Sequence, residues 1–146
     1  MAWNISEKEA QRLLGIKVPR QNKYNAQKTK AFGIEFDSMF EANRYGELLM
    51  LQKAGEITEL KVQVPFVLIP EKREPATVGK RGGLHKGKLI ERGITYVADF
   101  VYRDKYGNKI VEDTKSKATK TQAFRLKKKL MLHVHNIHIK ELINGN

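Results

Sequence analysis

Apolar positions along this chain change their period several times, and the changes divide it into elements. Ser6-Glu7-Lys8-Glu9 has the spacing of a capping box and Gly15 supplies a stop, so residues 7–14 are predicted to form a short helix. Periodicity is weak from Ile16 to Phe36, where Ala26–Lys30 and Gly33–Phe36 read as a small hairpin. Asp37-Ser38-Met39-Phe40-Glu41 repeats the capping box and opens a stronger helix through Phe40, Leu48, Leu49 and Leu51, closed by Ala54-Gly55. Ile57 to Ile69 is rich in β-branched residues, with Pro65 predicting either a break between two short strands or an edge position. Pro70 to Gly93 is punctuated by glycine and proline and reads as a long mobile loop. Thr95–Arg103 and Lys109–Ser116 flank a turn-rich Asp104–Asn108 and form an antiparallel hairpin. Thr119 to Val134 then reads as a helix with Ala123, Leu130, Met131 and Val134 on its apolar stripe, and Ile137–Ile143 as a last strand.

Strict alternation puts Val97, Asp99 and Val101 on one face of the first hairpin strand and Tyr96, Ala98, Phe100 and Tyr102 on the other. Both faces are apolar, so this strand is central and covered by helices on both sides. The element order is helix, strands, helix, strand, and the expected fold class is α/β, a central sheet flanked by helices. At 146 residues it forms one domain, residues 33–146, preceded by a basic arm over residues 1–32 and carrying the loop at residues 70–93.

One residue does not suit that architecture. Asp99 interrupts the apolar run, and burying a charge is costly unless a metal or counter-charge compensates it. In the partner strand Val111, Asp113 and Lys115 share a face, while Glu112 points the other way. If the hairpin sets Asp99 opposite Asp113, two carboxylates stand about 5 Å apart and call for a cation between them. Magnesium suits such oxygen ligands, and Lys115 on the same face would stabilise a phosphate or hold the attacking water. If the register is shifted by two residues, Asp99 instead forms a buried salt bridge with Lys115. The sequence leaves both registers open.

Charge narrows the class of partner. The chain has 28 Lys+Arg against 16 Asp+Glu, a formal net charge of +12, and two windows, Ala10–Ile34 and Thr114–Lys140, hold no acid at all. Such clustering is the footprint of a polyanion, because lysine and arginine near phosphates release condensed counterions. Lys117, Lys120, Arg125, Lys128 and Lys129 read as phosphate contacts, and Lys80, Arg81, Lys86 and Lys88 place further positive charge on the 70–93 loop, which could wrap DNA. Lys127, on the apolar stripe, either snorkels to solvent or reaches towards the acids. His133, His135 and His138 lack the spacing of a helical zinc pair. There is no cysteine, no signal peptide and no apolar run near the ~20 residues of a membrane span, so no membrane association and a cytoplasmic location are expected.

The helix-borne Ser38-Met39-Phe40-Glu41, the strand Ala98-Asp99-Phe100 and the next strand's Asp113-Thr114-Lys115, in that order, resemble the PD-(D/E)xK nuclease superfamily, which includes phage junction-resolving endonucleases. The stretch from Gly33 to Leu142 is also similar to a group of small phage proteins whose shared domain carries no functional description. Position by position, the resemblance implies a restriction-endonuclease-like αβββαβ core with a central mixed sheet, with Asp99 as central metal ligand, Asp113 as second ligand and Lys115 as catalytic lysine. Glu41 becomes the helix-borne carboxylate, with Thr114 in the ligand set. The residue before Asp99 is Ala98 rather than the superfamily's proline. Glu41 also has the simpler role of capping partner to Ser38. The activity so implied is Mg²⁺-dependent DNA hydrolysis, with Mn²⁺ as substitute, on branched DNA such as a Holliday junction during phage recombination, by a homodimer in the host cytoplasm. A non-catalytic DNA-binding protein on the same fold, or a nuclease acting on RNA or single-stranded DNA, is the alternative.

Overall fold

The structure, a computed structural model, describes residues 28–116 and 120–144. The expected helix at residues 7–14, most of the basic arm and Lys117 lie outside these described residues. The first elements are β1 (Thr29–Ala31) and β2 (Ile34–Phe36), an antiparallel hairpin displaced by a few residues from its expected start. Its two turn residues, Phe32 and Gly33, have φ of 54° and 76°, the left-handed pair that a tight two-residue hairpin needs.

Helix α1 (Met39–Lys53) starts where the capping box predicts. The Ser38 hydroxyl accepts the Glu41 amide at 3.1 Å, and Glu41 Oε2 accepts the Asp37 amide at 3.1 Å. Glu41 in the first turn and Lys53 in the last complement the helix dipole. The chain then enters β3 (Ile57–Ile69), which runs unbroken through Pro65 rather than dividing into two short strands. The proline is tolerated because β3 is an edge strand, where its missing N–H deprives no neighbour.

Residues 70–93 are an antiparallel ribbon rather than an irregular loop. β4 (Lys72–Arg73) and β5 (Thr77–Val78) run outward, and β6 (Leu84–His85) and β7 (Leu89–Glu91) run back, pairing as β4 with β7 and β5 with β6. Glycine makes the close approach possible: a Cβ on Gly87 would lie 1.8 Å from Glu74 O, and one on Gly93 2.5 Å from Ile69 O. A breaker-rich composition signals turns, and here the breakers are what let two strands touch.

β8 (Ile94–Asp104) returns along β3, β9 (Lys109–Lys115) pairs with it, α2 (Gln122–His135) crosses over, and β10 (Lys140–Ile143) lies parallel to β9. The sheet order is β10-β9-β8-β3, so α1-β3-β8-β9-α2-β10 is a restriction-endonuclease-like αβββαβ core with a mixed sheet. Each helix covers its own apolar cluster: Ala42 and Leu48 of α1 pack with Phe100 and Tyr102, and Phe124 and Met131 of α2 pack with Tyr96, Ala98, Val101 and Val111. The buried stripe of α2 therefore runs through Phe124 and Met131, whereas Ala123 and Val134, expected inside, are exposed. The stripe is turned by about one position because the Phe124 ring claims the burial that the small Ala123 cannot use. No described helix is long and apolar enough to cross a membrane.

The expected alternation along β8 fails at one point. Tyr96 and Ala98 pack in the α2-side cluster with Val101, while Phe100 and Tyr102, of the same parity, pack on the α1 side. In β3, Val62 and Val64 divide between the two sides in the same way. The residues between the split pairs are Asp99 and Gln63, which the register sets opposite one another, and Gln63 has φ of 50°. A left-handed residue inside a strand turns the following side chains over, the kind of irregularity that re-aims a side chain near a site.

Candidate active site

The register pairs Phe100 with Glu112 and Val101 with Val111, and the ladder ends there, one step short of Asp99 and Asp113, which it leaves as neighbours across the two strands. Of the two registers open to the sequence, this is the one that adjoins the carboxylates. Asp99 does not, however, share a face with Asp113 and Lys115 as strict alternation predicts. Its Oδ2 accepts both the amide (2.7 Å) and the hydroxyl (2.8 Å) of Thr114, the residue of opposite parity between them. The reversal at Asp99 and Gln63 is the cause, and it leaves Asp99 at the seam between the two faces.

Asp113 is buried on the α2 side. Lys115 Nζ lies 2.7 Å from Asp113 Oδ2 and 4.6 Å from the centre of the Phe124 ring. The lysine contact is one of charge rather than of alignment, since neither Asp113 Oδ2 nor the buried Tyr96 hydroxyl has an aligned hydrogen-bond partner among the described residues. Burial pushes the Asp113 carboxyl above its ordinary range, the Asp99 charge pushes the same way, and Lys115 only partly opposes them. Burial, then the Asp113 charge, raises the Tyr96 phenol as well.

Glu41 approaches from α1 and is only 3% exposed. Burial first and the Asp99 charge second push it up to about 7, against the Asp37 amide that holds its charged form. The capping and site roles thus coexist in one side chain. Glu41, Asp99 and Asp113 come from α1, β8 and β9, and Asp99 is the charge felt by both of the others.

Among the described residues, no group of three His, Cys, Asp or Glu side chains is arranged to hold a metal ion. The donor set nonetheless suits a hard divalent cation, because Asp113 Oδ2 is buried without an aligned hydrogen bond. Magnesium commonly rests on one or two carboxylates, with phosphate and water completing its shell.

The α1 side of β9 holds a second charged group that sequence reasoning did not anticipate. Glu112 is fully buried, and Arg44 of α1 grips it with two bonds, Nε to Oε2 at 3.0 Å and Nη2 to Oε1 at 2.8 Å. Tyr102 donates to Glu112 Oε1, and Lys140 of β10 reaches the same oxygen at 3.3 Å. Burial pushes Glu112 up, but Arg44, Tyr102 and Lys140 together hold it below the ordinary range. The available signal was Glu112 itself, an acid in a central strand, since such a residue needs a basic partner from the covering helix. Tyr96 was also missed, because its ring reads as apolar while its hydroxyl faces Asp113.

The basic residues form two separate surfaces. Along α2 and its flanking residues, Lys120, just before the helix, and Lys128 lie 3.3 and 3.4 Å from Glu141 and, with Arg125, Lys129 and His138, line a groove of about 370 Å³. Lys127 is half-buried on the same helix. On the ribbon, Lys80, Arg81, Lys86 and Lys88 are all exposed, and Lys86 stands 3.6 Å from Glu71. His135 bonds the Val67 carbonyl at 2.8 Å and packs edge-on against Phe66, a structural role.

No curated protein and no solved structure matches the chain. A family model described as "Protein of unknown function (DUF1064)" matches residues 21–144, nearly the whole chain and all of the sheet, both helices and the ribbon. The chain belongs to that family.

Proposed function

We propose that this protein is a magnesium-dependent endodeoxyribonuclease of the PD-(D/E)xK type. The observation that carries the reading is the adjacency of Asp99 and Asp113 on neighbouring central strands, with Lys115 on Asp113 and Glu41 near enough to feel both charges. A net charge of +12 supplies the affinity for a polyanion that such a site would act on.

Asp99 and Asp113 would hold the metal, which when bound supplies Lewis-acid activation of the phosphate and of water. Thr114 fixes Asp99 through two bonds to one oxygen. Lys115 keeps its ammonium beside Asp113 and presents protons to a phosphate oxygen as negative charge develops there. Glu41, raised to about 7, is suited to taking a proton near neutral pH. A preference for branched DNA, a homodimer that cuts two strands, and Mn²⁺ as substitute follow from the superfamily resemblance.

DNA binding without cleavage is the second reading. It is favoured by the Lys115–Asp113 ion pair and by the lack, among the described residues, of a three-ligand metal group. One assay separates the two: labelled four-way junction, linear duplex, single strand and RNA, each with Mg²⁺, Mn²⁺ or EDTA. The wild type is expected to cut DNA only with metal, and Asp99→Ala, Asp113→Ala and Lys115→Ala each to lose at least about 10²-fold in rate while still binding. Binding without metal-dependent cutting of any substrate would sink the enzyme; equal cutting by Asp99→Ala would sink the site.

A further inference from the structure

The outer end of the ribbon carries a feature that neither the core nor the acidic site uses. Val78 of β5 and Leu84 of β6 are directly paired across the ribbon, and they are 71% and 77% exposed. Neither belongs to an apolar cluster. Single exposed aliphatic residues are ordinary, but two large ones side by side at the end of a projecting hairpin form an apolar edge.

The neighbouring geometry keeps that edge open. Beyond the pair, Gly79 N donates to Gly83 O at 2.8 Å and Gly82 N to Gly79 O at 2.9 Å, closing a tight turn with Lys80 and Arg81 at its apex. The His85 ring lies against Gly79, where a Cβ would stand 2.4 Å from Nε2, so the imidazole covers the turn and leaves Val78 and Leu84 uncovered. From Pro75 to Ile90 there are four cations, Lys80, Arg81, Lys86 and Lys88, and no acid.

Charge decides which occupant this edge fits. A second copy of the ribbon's outer end, Pro75–Ile90, would bring four cations against four, whereas a phosphate backbone complements them. Two-stranded ribbons fit the grooves of duplex DNA, and apolar side chains flanked by lysine and arginine wedge between base steps, unstacking and bending the helix.

We infer that the ribbon end is a DNA-deforming wedge: Lys80 and Arg81 hold phosphates while Val78 and Leu84 insert at a base step and unstack it. It rests on the reading that the chain binds DNA, and is independent of whether the chain cuts it. Leu84 precedes Asp99 by 15 residues, a reach of at most about 50 Å in extended chain. That is roughly one and a half turns of B-DNA, so wedge and acidic site can meet one duplex. Flexible, mismatched or branched steps, which cost less to unstack, are bound in preference.

The test is binding in EDTA to a duplex carrying 2-aminopurine at a central pyrimidine–purine step and a dye at each end. The wild-type chain is expected to raise the aminopurine signal by roughly twofold or more and to shorten the end-to-end distance. The variant with Val78→Ser and Leu84→Ser should bind within about threefold of wild type, with unchanged salt dependence, but lose both signals. Phe at both positions should enlarge them, a gain that loss of folding cannot imitate. Lys80→Ala with Arg81→Ala should lower the salt slope by about 2. Absence of the signal in wild type, its persistence in the serine variant, or dissociation of a dimer by the serine variant with DNA signals intact would each overturn the wedge. Unstacking without Mg²⁺-dependent cutting would remove only the nuclease reading, and cutting without unstacking only the wedge.

Discussion

Burial holds Glu41 near half-protonation at neutral pH, and the direction of that effect fixes its consequence for stability. A carboxyl raised from its ordinary 4.5 to about 7 binds its proton more tightly in the folded state, so stability falls as pH rises across that interval. The loss amounts to about 3 kcal/mol at most, and the raised Asp113 adds to it in the same direction. In urea unfolding between pH 4.5 and 8, Glu41→Gln should flatten most of this slope. Magnesium above pH 7 should restore the unfolding midpoint in wild type but not in Asp99→Asn. An unchanged slope in Glu41→Gln would place the titration elsewhere. At this scale the sequence was most legible where chemistry was out of place, as with Asp99 in an apolar run. It was least legible where one side chain has two characters, as with Tyr96.

Between elements, a buried ion pair ties α1 to β9. Arg44 follows Glu41 by three residues on the same helix face, and Glu112 immediately precedes Asp113, so this grip also fixes the helix that carries one acid against the strand that carries another. Arg44→Ala leaves a charged Glu112 buried without its main partner and should cost about 3–5 kcal/mol in denaturant unfolding. Because Glu112 is held below its ordinary range, its contribution is present above about pH 4.5 and is lost as pH falls further, opposite in sign to Glu41. A cost below about 1 kcal/mol would mean that Lys140 and Tyr102 suffice. Helix α1 could be read in the sequence because its capping box is local. The reversal at Gln63 and Asp99 could not, because it belongs to two strands at once and only their pairing sets it.

For the whole molecule, charge is divided between the α2 groove and the ribbon, and not every lysine contributes equally. Lys120 and Lys128 share the single negative charge of Glu141, whereas Lys129 has no ion pair among the described residues. Lys129→Ala should therefore lower the salt slope of DNA binding by about 1, while Lys128→Ala should do less. Glu141→Gln, which releases both partners, should tighten binding and steepen the slope; weaker binding would place that groove off the DNA path. By itself the sequence determined the helix-strands-helix-strand order, the α/β class and the start of α1, because apolar period and capping act over a few neighbouring residues; α2 begins at Gln122 behind its cap Thr121, three residues after the expected Thr119. Tertiary structure alone decided the hairpin register, the seam position of Asp99, the Arg44–Glu112 grip and the folding of residues 70–93 into a ribbon. Each depends on residues far apart in the chain whose meeting is set by strand pairing and packing, and no local pattern encodes that meeting.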